Sequence, residues 1–390
     1  MQPAFEVATI LNCYWNKANE QLKLNGWQWR TLHAIRRCRT ADMGGHIDQC
    51  DECGYLHISY NSCRNRHCPK CQGQQREAWM EARQADLLPV PYFHVVFTLP
   101  EAINRICLYQ PATVYNLLFS TVWSTIQSFA ADSKCLGATT GMITILHTWG
   151  QTLSLHPHLH CIIPAGGITK DSLWKFSRNN GKFLFPIKAL STVFRARFVA
   201  ALRKALPDES KAFFNGLFKT DWVVYAKRPF GGPLQVIEYL GRYTHKIAIS
   251  NHRITDIGHD TVSFAYKDYR QDGKQQQMTL DATEFIRRFA LHILPKGFVR
   301  IRHYGILSSK LKVTALPAIR KQLQHPGQPA VPIEKQPKVV AEPIEQTCPC
   351  CKKGIMQHVM DFDFRGPPPL HLLKELLKNG INPALSKTAV

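Results

Sequence analysis

The chain has 390 residues, enough for two or three domains with at least one sizeable core, and a hydrophobic fraction of 45%, that of an ordinary globular protein. Its 49 Lys and Arg against 28 Asp and Glu leave a formal charge of +21, which points to a polyanionic partner, nucleic acid ahead of a membrane surface. No secretory signal pattern opens the chain, and the phosphate-binding spacing GxxxxGK[ST] does not occur, so a secreted scaffold and a P-loop nucleotide hydrolase are both disfavoured.

The first 30 residues read as helical, with Trp15, Trp27 and Trp29 among them. A Cys/His/Arg module follows over 38–75. In it, "CDEC" and "CPKC" space four cysteines as Cys50-x2-Cys53-x14-Cys68-x2-Cys71, which suits one tetrahedral zinc thiolate site. Cys38, His46, Cys63 and His67 crowd the same module and could close a second, interleaved Cys2His2 site. CxxC pairs in an Arg-rich segment indicate metal binding in a reducing compartment, not disulfides, so a cytoplasmic location is expected. Arg36, Arg37, Arg39, Arg64, Arg66 and Lys70 surround these ligands. Zinc would hold a short backbone that cannot fold alone and turn those cations toward phosphates; a solvated charged face is the plainer alternative.

Residues 73–88 read as a helix that ends before Pro89, and "YFHVVFTLP" as a strand stopped by Pro100. Residues 106–131 carry no charge and are long enough to span a bilayer. Gln110, Pro111, Asn116 and several Ser and Thr interrupt them, which predicts a buried core helix instead. A second charge-free run between Lys134 and Lys170 holds "GMITILHTWG" and "LHPHLHCII", two buried strands with an exit at Gly166 and Gly167. Residues two apart on a strand share a face, so His156, His158 and His160 point the same way. Three imidazoles buried on one face are costly for packing alone, whereas a divalent cation would take a lone pair from each.

Helical patterns cover about 190–217, "DWVVYAK" reads as a strand, and a helix is expected over 234–246. That helix contains "YLGRYTHK", whose Tyr239 and Tyr243 are four apart and project from one face. Alone the pattern usually means packing; beside a histidine metal face and a basic surface it supplies a pair of nucleophiles. A metal would polarise a scissile phosphate while a tyrosine oxygen attacks in line, leaving a phosphotyrosine link and a free 3′-hydroxyl. The covalent link keeps the phosphodiester's energy, so rejoining needs no ATP. Strands are expected at "KIAISNHRI" and "TVSFAYKDY" and a helix over 282–292, followed by "GFVRIRHYGILS". Five prolines over 325–347 mark a linker, and "CPCC" at 348–351 offers half a metal site with His358 as a candidate helper.

These motifs resemble those of a known family. "HLHCII" is similar to the His-hydrophobic-His motif of HUH single-strand endonucleases, and "VVFTLP" to the strand beside it. Together with "SCRNRHCPKCQ", "HTWGQTL", "HPHLHCIIPAGG", "YLGRYTHKIAISNHRI" and "RIRHYGIL", the chain resembles over about residues 5–310 the two-tyrosine rolling-circle transposases of bacterial insertion sequences. The resemblance implies an α+β fold, an HUH core with a central, largely antiparallel sheet flanked by helices, preceded by a small helical zinc-binding domain. It divides the chain into a DNA-binding part (1–88), a catalytic part (89–324), the linker (325–347) and a tail with a half knuckle (348–390).

The activity so implied is nicking and transfer of one DNA strand, with Tyr239 and Tyr243 alternating as nucleophiles and His158 and His160 as the metal-binding pair. The third ligand stays open between His156 and Gln235, and His245 and Lys246 could assist the leaving oxygen or bind phosphate. Mg²⁺ or Mn²⁺ is expected at the nuclease site and Zn²⁺ in the N-terminal module. Expected partners are single-stranded element ends, target DNA and host replication factors, with no membrane role. Three alternatives remain: a rolling-circle replication initiator, a non-catalytic zinc-dependent DNA-binding regulator, and a metallohydrolase that uses water as nucleophile.

Overall fold

The segments richest in β-branched and aromatic residues build the sheet that carries the histidines. In the computed structural model, which describes residues 3–71, 86–227, 235–236, 241, 247–324, 346–369, 371, 373 and 375, the fold is mixed α/β with antiparallel sheets, as expected. Three helices, α1 (Val7–Cys13), α2 (Trp15–Gln21) and α3 (Gly26–Arg36), lead into the hairpin β1 (Gly45–Cys50) and β2 (Leu56–Tyr60). The main sheet draws on β3 (Tyr92–Thr98), β4 (Gly141–Trp149), β5 (Leu155–Pro164), β8 (Val224–Ala226) and β12 (Ile301–Gly305). Its order is β12-β4-β5-β3-β8, every pair antiparallel, so the histidine strand β5 lies at the centre. A small hairpin, β6 (Gly166–Ile168) and β7 (Trp174–Phe176), follows β5.

Both faces of the sheet are covered, which explains why its strands read as continuous apolar runs. On one face Phe93, Val95, Phe97, Leu159, Cys161 and Ile163 pack against α5 (Pro111–Ala131) and α6 (Ile187–Ala205), with α4 (Asn104–Tyr109) and α7 (Lys211–Gly216) at the margin. The charge-free run is therefore a core helix; Val114, Leu118, Phe119, Val122 and Ile126 along it are fully buried. Its polar residues are tolerated because their hydroxyls bond within the helix, Thr121 Oγ1 to the Leu117 carbonyl at 2.6 Å and Thr125 Oγ1 to that of Thr121 at 2.8 Å. Among the described residues no helix is long and apolar enough to cross a membrane. On the other face, which is the histidine face by register, Ile143, Ile145 and Ile162 share a core with Val236 and with Leu316 and Ile319 of α9 (Lys312–Gln324).

A second layer forms from β9 (Ile254–Ile257), β10 (Thr261–Asp268), β11 (Lys274–Asp281) and α8 (Ala282–Leu291). Phe264, Phe285 and Phe289 of this layer share one core with Val7, Ile10, Leu11, Leu32 and Ile35 of the N-terminal helices. Trp27 Nε1 reaches the Leu294 carbonyl at 3.0 Å, and Lys17 pairs with Asp260 at 2.8 Å.

Two expectations change here. "KIAISNHRI" is a strand only from Ile254 onward. Ala248 and Ile249 bury against the N-terminal helices instead of joining a ladder, and Asn251 Oδ1 accepts the Val7 amide at 3.1 Å from within a 3-10 turn. Conversely β11, "KQQQMTLD", has too few apolar residues to announce itself, yet pairs along its whole length with β10. The helix expected over 73–88 and the linker 325–347 fall almost wholly outside the described residues.

Candidate functional site

The site is assembled by register. Antiparallel pairing of β4 with β5 sets His147 directly opposite His158, and Ile145 opposite His160. The register slips between His147 and Trp149, a bulge that re-aims the side chains beside it. The ligand atoms of His147, His158 and His160 all lie within 4.8 Å of one another. His147 and His160 are buried, with 3% and 7% of their surface exposed.

Hydrogen bonding orients the rings. His158 Nδ1 donates to the His156 carbonyl at 2.6 Å, which leaves the lone pair on its Nε2. His160 Nδ1 lies 2.9 Å from Nε2 of His94, whose ring stacks on it at 5.1 Å. Desolvation pushes His94 down to about 3, with Lys227 and His158 adding to the effect, so it stays neutral and the two rings share one proton. The Nε2 atoms of His158 and His160 then face each other across 3.1 Å. In the tautomer that protonates His160 at Nδ1, both Nε2 atoms present lone pairs that a cation between them would take up. Neighbouring ligands about 2.1 Å from one octahedral cation would stand about 3.0 Å apart, so the donor set fits.

His156, the sequence's other candidate on this strand, does not join the group: its ring is exposed, and its contribution is the backbone carbonyl that orients His158. Gln235 is exposed on a helical turn beside the buried Val236. Tyr239, Tyr243, His245 and Lys246 lie outside the described residues. His147 and His94 do not stand out as ligands in the sequence. The signal for each was a histidine in an otherwise apolar strand, in "GMITILHTWG" and "YFHVVFTLP".

The cysteines regroup. Cys68 and Cys71 meet Cys38 and Cys63, whereas Cys50 and Cys53 meet Cys348 and Cys351. The proposed quartet Cys50, Cys53, Cys68, Cys71 and the proposed Cys38, His46, Cys63, His67 set are both corrected. The reason is the hairpin. Cys38 and Cys63 flank its base, while Cys50 and Cys53 sit at its tip, five strand steps or roughly 16 Å away. His46 instead faces Asp48 at 3.4 Å, and the buried His67 accepts the Leu294 amide at 3.3 Å. In the inner group, Cys71 Sγ lies 3.5 Å from Cys38 Sγ and 3.7 Å from Cys63 Sγ. A zinc tetrahedron with bonds of about 2.3 Å has edges of about 3.8 Å, so these sulfurs fit zinc. Donation from the Cys38, Cys63 and Cys68 thiols holds Cys71 well below the ordinary thiol range, and pairing drives Cys63 and Cys68 well above it. Cys38 is lowered too, to about 7, by donation from Cys63 and Cys68, so two thiolates form readily there and four need a metal.

The basic residues divide too. Arg64 is exposed, while Arg36 lies over the Trp15 ring at 4.8 Å and Arg37 pairs with Asp42 at 3.2 Å. Lys70 pairs with Glu6 at 2.7 Å. Arg66 turns inward, donating to the Phe298 carbonyl and to that of Pro295 at 3.1 Å, and burial lowers its pKa.

Residues 141–314 match the family described as "Putative transposase", and residues 10–99 match a "Transposase zinc-binding domain". The chain is 44% identical to the "Putative transposase y4qJ" of Sinorhizobium fredii over 388 residues, covering 93% of this chain and 97% of that protein. It is 26% identical to the "Transposase for insertion sequence element IS801" of Pseudomonas savastanoi pv. phaseolicola over 359 residues, 83% of this chain and 82% of that protein. With a zinc-fitting thiolate cluster inside one matched region and the histidine face inside the other, the chain belongs to the family its motifs resemble, the two-tyrosine transposases of bacterial insertion sequences with an N-terminal zinc-binding domain.

Proposed function

We propose that this transposase nicks one DNA strand at the ends of its element and transfers it through a 5′-phosphotyrosine link, with His147, His158 and His160 holding a Mg²⁺ or Mn²⁺ ion. The observation that carries the reading is the convergence of three imidazole nitrogens within 4.8 Å on two central strands. When bound, the cation supplies Lewis-acid polarisation of the scissile phosphate. His94 and the His156 carbonyl hold the His160 and His158 rings in register for it. Tyr239 and Tyr243 are the nucleophiles, each attacking phosphorus with its hydroxyl oxygen and expelling a 3′-oxygen. Val236 supports this reading: it is buried against Ile143, Ile145 and Ile162 on the histidine face, and in the sequence the tyrosines follow it by three and seven residues.

The zinc module and the exposed Arg64 would hold the duplex beside the cleaved strand, residues 1–88 serving binding and 89–324 chemistry. The test is incubation of the protein with single-stranded element ends and Mg²⁺ or Mn²⁺, resolved on denaturing gels. The expected product is a covalent protein–DNA adduct that disappears in the Tyr239→Phe/Tyr243→Phe double variant. Cleavage without an adduct would instead establish water as the nucleophile, and binding with no cleavage under any divalent cation would leave a DNA-binding regulator.

A further inference from the structure

The half knuckle beyond the linker has found its complement 300 residues upstream. Cys351 Sγ lies 3.7 Å from Cys50 Sγ, Cys348 Sγ lies 3.7 Å from Cys53 Sγ, and the four sulfurs fall within 4.8 Å of one another. These are again the edges of about 3.8 Å of a zinc thiolate tetrahedron. Backbone amides point at the sulfurs in both knuckles: Cys53 N at Cys50 Sγ (3.5 Å), Cys350 N at Cys348 Sγ (3.3 Å) and Gly354 N at Cys351 Sγ (3.4 Å). Such donors favour thiolate over thiol, as a metal site requires.

The approach is specific in shape as well. A Cβ on Gly354 would stand 2.5 Å from both Cys50 Sγ and Asp51 Oδ1, so only glycine lets the knuckles close. Asp51 then continues the contact, its Oδ1 accepting from Ile355 N at 2.8 Å and its amide donating to the Ile355 carbonyl at 3.2 Å. From there β13 (Met356–Phe362) runs antiparallel to β1, from Cys50 opposite Met356 to Gly45 opposite Phe362, and becomes the third strand of the hairpin sheet.

We propose that Cys50, Cys53, Cys348 and Cys351 bind a second structural zinc, and that this ion clasps the segment beyond the linker onto the N-terminal module. The matched zinc-binding region ends at residue 99 and so contains only half of this site. The clasp adds to a small core: among the described residues, the sheet it completes buries Ile47, Val359 and Leu373, with Leu56, Ile58, Met360 and Phe362 partly buried against them, a modest hold on a tethered strand. The two zincs also differ in access. Cys38, Cys68 and Cys71 of the inner site are buried, whereas Cys53 of the outer site is exposed and Cys351 half-buried, so chelators reach the outer ion first.

The test uses full-length protein with a specific protease site inserted within 325–345. Two zinc ions per chain are expected, falling to one in the Cys348→Ser/Cys351→Ser variant. After cleavage the C-terminal fragment should co-elute with the rest, and separate once graded chelation has removed the first zinc equivalent. One zinc in the unmodified protein overturns the proposal, as does a fragment that elutes separately before chelation or stays bound after that first zinc has gone. The fragment assay on unmodified cysteines decides the matter even should the double variant misfold.

Discussion

His147→Ala removes the imidazole that tertiary structure adds to the sequence's histidine pair, and its effect separates two readings of the site. The ring is 3% exposed, stacks on Trp149 at 4.7 Å and meets His160 edge-on at 4.5 Å. Losing a residue that only orients a ligand costs 10- to 100-fold in metal affinity, so a ring that itself supplies a lone pair should cost about 100-fold or more, about 2.7 kcal/mol. Loss of packing adds a separate folding cost of about 2 kcal/mol, read from thermal denaturation without metal. The assay is the Mn²⁺ concentration for half-maximal single-strand cleavage, with Mn²⁺ binding by calorimetry as a readout independent of turnover. His156→Ala is the control. Its exposed ring lies outside the three-nitrogen group, so affinity should stay within about threefold of the unmodified protein, as for a surface change. A 100-fold loss in His156→Ala with His147→Ala near normal would refute the reasoning and restore His156 as third ligand.

Cys63→Ser opens the inner thiolate cluster, and should release one zinc equivalent and unfold the N-terminal module, read by metal content and proteolysis. Arg64→Ala should lower the slope of log affinity against log salt by about one, whereas Arg66→Ala should leave it unchanged and cost about 2 kcal/mol of stability, because Arg66 donates to two part-buried backbone carbonyls. His292 is buried between Thr148 and the Leu153 carbonyl, and desolvation pushes its pKa down to about 4. The unfolded chain therefore binds this proton first, and as pH falls from about 6.5 to about 4 roughly 3 kcal/mol of stability should be lost, with none lost above that window. His292→Gln should flatten that part of the stability–pH curve in denaturant titrations.

Much of the fold was legible because its signals are local. Strand alternation and charge-free runs marked β3, β4, β5 and α5, since burial on both faces of a sheet demands continuous apolar sequence. The polar outer strand β11 escaped, because its partner and not its composition makes it a strand. "KIAISNHRI" erred the other way, its apolar residues being claimed by a helical core that local propensity does not encode.

By itself the sequence determined the ingredients: a basic chain, CxxC knuckles, two histidines on one strand face, a tyrosine pair four residues apart, and so the family. Tertiary structure alone decided the groupings. Spacing along the chain limits which residues can be neighbours, but a hairpin about 16 Å long carries one knuckle away from the other, and strand register delivers His147 to His158. Ligand sets are closed by such through-space placement, so Cys348 and Cys351 meet Cys50 and Cys53 where β13 lies against β1.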